Sequence, residues 1–203
     1  GPLIRLTDVS NVTVQLLTLE ATRTTLIEIQ SGSENTLYKL LLRNAGTTAA
    51  LVSGTGNTVE RCEILYSGSG GVNLSGGDRL SLTAGENAVR NCHIHDYSRF
   101  SRTYQPGVRI SGVGNVVEHN WMHDAPHSAI LYGGNEHRIA LNEIHDVCRW
   151  LIERFDRGPR LWGYPDGTRD LSNTQFAVLA LKVGELHGFP VPRDLWRDLV
   201  TGV

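Results

Sequence analysis

The chain has 203 residues, a net charge of −2 with His neutral, and 40% hydrophobic residues, enough for one buried core plus a small appendage. Without a run of like charges it does not fit a nucleic-acid binder, and no apolar stretch approaches the roughly 18 residues of a membrane span. Three cysteines, Cys62, Cys92 and Cys148, lack metal-site spacing and are too few for a disulfide scaffold.

From the N-terminus, short alternating runs rich in β-branched residues and Leu carry one pattern: an apolar residue, two residues, a variable position, one residue, an apolar residue. It recurs as Val14/Leu17/Leu19, Leu37/Leu40/Leu42, Val59/Cys62/Ile64, Val89/Cys92/Ile94, Val117/Asn120/Met122 and Ile139/Asn142/Ile144, at steps of 23, 22, 30, 28 and 22 residues. Most copies are followed by a second alternating strand ending in Gly: "TLIEIQSG", "AALVSG", "GGVNLSG", "PGVRISG" and "SAILYGG". Asn35, Asn57, Asn87 and Asn115 each precede the first apolar position by two residues, where a sharp turn needs a residue that tolerates the left-handed conformation. Repeats this short leave no room for crossover helices. They predict a parallel β-helix of about six coils, stacked at the strand spacing of roughly 4.8 Å. The two long steps predict inserted loops at "GGDRLSLTAGE" and "DYSRFSRTYQP", of the kind that gather on a binding face.

The variable position holds Cys62, Cys92, Asn120 and Asn142 in one inward column. Stacking would just permit a Cys62–Cys92 disulfide. Free cysteines acting as small buried hydrophobes are the preferred reading. The asparagines should bond each other or the backbone. A second column is formed by the repeated "IHD" or "MHD": His95-Asp96, His123-Asp124 and His145-Asp146. His and carboxylate suit a metal or catalytic ladder. A repeated turn, with Asp accepting local backbone N–H groups, explains the column equally simply and is preferred. No metal site and no cofactor are therefore expected.

Candidate site residues come from the second insertion and the coil after it. Arg99, Arg102, Tyr104 and Tyr132 offer forked donors and aromatic faces for sugar rings and carboxylates, and are the expected substrate-binding residues. Glu136, with His137 and His127, is the expected proton-transfer set. Glycoside hydrolysis normally uses two carboxylates, and Asp124 or Asp146 could supply the second.

After Cys148 the alternation stops. "RWLIERFD" has helical spacing, Ser172 and Gln175 form a capping box before Phe176, Leu179, Ala180, Val183 and Leu186, and "RDLWRDLV" reads as a last short helix. The expected division is residues 1–148 as β-helix and 149–203 as a helical tail that caps its open end.

Over residues 4–148, above all at "PHSAILYGGNEH" and "NEIHDVC", the sequence resembles bacterial right-handed parallel β-helix proteins active on carbohydrates, similar to family-141 glycoside hydrolases and β-helix polysaccharide lyases. The resemblance implies a polysaccharide or oligosaccharide partner, no nucleic acid or membrane, and an extracellular or periplasmic setting, although no signal peptide is visible. It also implies a further coil with an acidic "DAGA"-like segment after "NEIHDVC". Arg149 to Phe155 stand there instead, so the chain is expected to be truncated before its catalytic coil. The stretch "LWGYPDGTRDLSNTQFAVLALKVGELHGFPVPRDLW" resembles one repeat of the α/α-toroid of terpene cyclase and prenyltransferase-like proteins. A structural or adhesive solenoid without a substrate groove is the alternative function.

Overall fold

A computed structural model describes residues 1–144, Val178, Leu181, Lys182, Glu185 and residues 190–200. The chain divides into two compact units, Gly1–His145 and Asp146–Val203.

The first unit is a parallel β-helix of three sheets. In stacking order, the first sheet runs Ile4–Thr7, Ile27–Gln30, Ala50–Ser53, Val72–Asp78, Val108–Val113 and Ile130–Asn135. The second runs Thr13–Gln15, Thr36–Tyr38, Thr58–Glu60, Ala88–Arg90, Val116–Glu118 and Arg138–Ala140. The third runs Thr18–Thr22, Leu41–Ala45, Glu63–Leu65, His93–His95, Trp121–His123 and Glu143–Ile144.

The expected columns are the observed ones. Val14, Leu37, Val59, Val89, Val117 and Ile139 pair successively, as do Leu19, Leu42, Ile64, Ile94, Met122 and Ile144. Strand periodicity turns these side chains inward, and the central four of each column are fully buried. Each such Leu, Ile or Val contributes about 1.5–3 kcal/mol of transfer free energy. A one-residue slip would turn every one of them to solvent, which fixes the register.

Corners are made by single residues with positive φ, repeated in register. Between the second and third sheets they are Leu16, Lys39, Arg61, Asn91, His119 and Leu141; at the end of the third-sheet strands or just after them, Ala21, Asn44, Tyr66, Asp96 and Asp124. At the corner before the second sheet sit Glu34, Gly56, Glu86, Gly114 and Glu136. Next to each of the first four stands a ladder asparagine. Asn35 donates from its backbone and side chain to Asn57 Oδ1 (both 2.9 Å), Asn57 N donates to Asn87 Oδ1 (2.9 Å), and Asn87 N to Asn115 Oδ1 (3.0 Å). All four are fully buried.

Cys62 and Cys92 are free and buried, as preferred, with each thiol directed at main-chain carbonyls. Burial pushes the Cys92 thiol up from its ordinary range. Asn120 accepts from Cys92 N (2.9 Å) and donates to Asn142 Oδ1 (2.9 Å), so the inward polar column is satisfied.

In the second unit, Arg193–Val200 is the expected last helix. Trp196 Nε1 donates to Glu185 Oε1 (3.3 Å), and Leu181 and Leu195 are fully buried. His145, Asp146, Cys148, "RWLIERFD", the Ser172–Gln175 capping box and most of the toroid-like stretch lie outside the described residues.

Candidate functional site

The two insertions border the first sheet at opposite ends of its strands. The first extends Val72–Asp78 into a hairpin, with Thr83–Ala84 returning antiparallel beside it. The second, residues 96–107, leads into the start of Val108–Val113. Between these borders lies an outward column: Arg5, Glu28, Leu51, Asn73, Arg109 and Leu131. It faces outward because its strand neighbours, such as Val108 and Ile110, are fully buried.

The second insertion is tied down from inside. Tyr97 is buried, and its hydroxyl donates to Ser128 O (2.8 Å). Ser98 Oγ donates to Gln105 O (2.7 Å). Arg109 reaches up from the sheet and donates through Nη2 to Tyr104 O (2.6 Å). The Tyr104 ring, 60% exposed, lies 5.2 Å from the His127 ring at 48°. His127 pairs its Nδ1 with Ser128 Oγ (2.6 Å), and desolvation holds its pKa below the ordinary histidine value. Tyr104, His127 and Arg109 thus form a partly exposed aromatic and cationic edge at the start of the first-sheet strands.

The other expected site residues fall elsewhere. Arg99 turns to the corner after the third sheet, where its guanidinium lies over the Tyr66 and Phe100 rings and Nη1 approaches Asn44 Oδ1 (3.4 Å). Arg102 is half-buried in the insertion. Tyr132 continues the inward column of Ile29, Val52, Leu74 and Ile110, so it holds a core position in register and not an outward groove position. Glu136 is the positive-φ corner residue (φ 56), equivalent to Glu34 and Glu86. His137 is the rung of the ladder that follows Asn115: its Nδ1 accepts from Asn115 N (3.2 Å) and its Nε2–H donates to Gly133 O (3.2 Å). Both ring nitrogens are therefore engaged in holding the turn. His127 precedes the strand Ile130–Asn135 and Glu136 follows it, so six strand residues, about 20 Å, separate them. The proposed proton-transfer trio does not converge.

A third group was only half visible in the sequence. His95 and His123 are neighbours in register on the outward side of the third sheet, as the "IHD" column predicts. Their aspartates occupy the repeated corner but bond the preceding imidazoles: His95 Nδ1 to Asp96 Oδ2 (2.8 Å) and His123 Nδ1 to Asp124 Oδ2 (2.7 Å). His93, two residues before His95 and on the same side, joins them. Its Nε2 lies 2.7 Å from His123 Nε2, and its ring stacks on His95 (4.1 Å) and Trp121 (4.3 Å). Glu63, from the preceding coil, brings Oε1 to 3.5 Å from His95 Nε2 and 3.9 Å from His93 Nδ1. Burial, then the neighbouring His95 and His123, lower the His93 pKa. His93 belongs to no repeated column: its register partners are Glu63 and Trp121. The signal available was the His-x-His spacing within one strand.

A family model described as a right handed beta helix region matches residues 2–144. No curated protein and no solved structure matches the chain.

Proposed function

The chain belongs to the right-handed β-helix family, and we propose that this solenoid is a polysaccharide-binding module related to glycoside-hydrolase-like enzymes. The observation that carries the reading is the first-sheet face with an insertion at each end of its strands and the Tyr104–His127–Arg109 edge beside it. An extended polymer matches a face whose rows repeat at the strand spacing. The exposed Tyr104 ring offers a stacking surface, Arg109 and Arg102 offer donors to carboxylates or hydroxyls, and Asn73 adds amide donors and acceptors. Glu28 accepts from Arg5 Nε (2.9 Å) and Gln30 Nε2 (3.1 Å), which leaves the cationic character to Arg109 at this edge. The placing of Glu136 and His137 as turn residues set apart from His127 supports a reading of binding over cleavage.

The test is a panel of plant and algal polysaccharides offered to the full chain, with binding read by affinity electrophoresis and turnover by reducing ends and unsaturated products. We expect retention on an acidic or branched polymer, weakened roughly two- to tenfold by Tyr104→Ala, the range of about 0.5–1.5 kcal/mol that an aromatic contact supplies. Retention unchanged by Tyr104→Ala and Arg102→Ala together, or no retention across the panel, would remove the reading.

A further inference from the structure

The histidine group lies on a different sheet from the proposed carbohydrate face and has its own chemistry. Asp96 and Asp124 are acceptors, so in the neutral rings they select the Nδ1–H tautomers of His95 and His123. Each ring then presents a lone pair at Nε2. For His123 that lone pair receives the Nε2–H of His93. For His95 it receives no hydrogen bond among the described residues: Nε2 is buried and lies 3.5 Å from a Glu63 carboxylate oxygen. Two acceptors pointed at one another, with buried polar valence unsatisfied, are costly. A cation between them satisfies both.

We propose that His93, His95 and His123, with Glu63 as a fourth ligand, bind one first-row divalent transition-metal ion. Three imidazoles and a carboxylate are a donor set suited to zinc and its neighbours. Ligand atoms of the three histidines lie within 4.8 Å of one another. At a zinc–nitrogen distance of about 2.0–2.1 Å, tetrahedral ligands stand about 3.3 Å apart. The 2.7 Å His93–His123 separation is inside that value and the widest separation is outside it, so modest ring rotations bring all three nitrogens onto one ion. The outer shell is already built: a carboxylate on the far nitrogen fixes the orientation of both His95 and His123, as it does for histidines that ligate metals. The fold supplies the rest. Strand periodicity puts His93 and His95 on one side, and parallel register sets Glu63 one coil before and His123 one coil after.

The test uses the full chain, stripped with a chelator and titrated with Zn²⁺ by calorimetry and with Co²⁺ by visible absorption. Expected are one ion per chain and cobalt ligand-field bands of a four- or five-coordinate site. His123→Gln should weaken binding by more than about 100-fold, and Asp96→Asn by about 10- to 100-fold, the range of an outer-shell carboxylate. Far-UV circular dichroism checks the fold of each variant. Should His123→Gln not fold, Glu63→Gln, at a half-exposed side chain, replaces it and should weaken binding at least about tenfold. No stoichiometric binding, octahedral cobalt bands alone, or affinities unchanged in these variants would overturn the assignment. Polysaccharide retention is read separately and is not expected to depend on the metal.

Discussion

Two corners of the β-helix repeat the same residue in register, and they differ in what their polar atoms do. In the asparagine ladder every rung is closed. Asn87, for example, accepts from Asn57 N and donates to Gly54 O (2.8 Å), Ser75 O (3.1 Å) and Asn115 Oδ1 (3.1 Å). In the histidine column Asp96 and Asp124 take one nitrogen of each ring, and the valence left over at His95 has no hydrogen-bond partner among the described residues. Repetition at one coil position is thus a poor guide to role, because a turn built again and a site built from several coils look alike in sequence. The better guide is whether donors and acceptors add up. A saturated column has nothing to offer a ligand, and an unsaturated one does.

Breaking the saturated column should cost the most. Asn87→Ala removes the two N–H groups shared among Gly54 O, Ser75 O and Asn115 Oδ1 and leaves the buried Asn57 N–H without an acceptor. With about 1–3 kcal/mol for each buried group left unpaired, we expect a loss of about 3–5 kcal/mol in urea unfolding. A loss below about 1 kcal/mol would mean that water replaces the ladder, and the contrast between the corners would collapse. His137 sharpens the same contrast at lower amplitude. If it is a ladder rung, His137→Asn should restore the residue type of the other coils and change stability by less than about 1 kcal/mol, whereas His137→Ala should cost about 1–3 kcal/mol by orphaning Asn115 N. Equal destabilisation by both variants would contradict the rung assignment.

The coils were legible because inward residues obey the strand period and a slip exposes the whole set, so Val14 to Ile139 could be aligned without a structure. The asparagine column was legible for the same reason, but not its role: the left-handed residue at each turn is the one before the asparagine (Glu34, Gly56, Glu86, Gly114), and the asparagines bond one another instead. The rung after Asn115 was hidden by a change of residue type, although His137 precedes Ile139 by the same two residues as each asparagine precedes its own apolar partner. Tyr132 was misplaced by its chemistry: a tyrosine in a Gly-rich strand suggests a binding surface, while its pairing with Ile110 puts it in the core column. Outward positions follow no rule of this kind. The row holding Leu41, Glu63, His93, Trp121 and Glu143 changes character at every coil, and only the stacking distance brings His93 to His123. Loop placement was half legible: the two insertions were countable from the long steps, but that they border one sheet from opposite strand ends depends on which corners they occupy.

His127 offers the finest test, since it is a single histidine that belongs to neither column. The Tyr104 ring and Ser128 hydroxyl cover it, and desolvation disfavours its charged form. Its folded pKa therefore lies below the unfolded value of about 6.5. As pH falls through that value the unfolded chain takes up a proton that the folded chain declines, so stability should fall with decreasing pH from about 6.5 down to the folded pKa, and level off beneath it. His93 shifts in the same direction, so the wild type alone cannot assign the slope. His127→Gln keeps a polar side chain and removes this titration. The difference in unfolding free energy between wild type and variant should be flat above neutrality and should decline below about pH 6.5. A difference that stays flat through the acid range would show that His127 titrates as it does in the unfolded chain, and would remove the closed Tyr104–His127 contact from the carbohydrate edge.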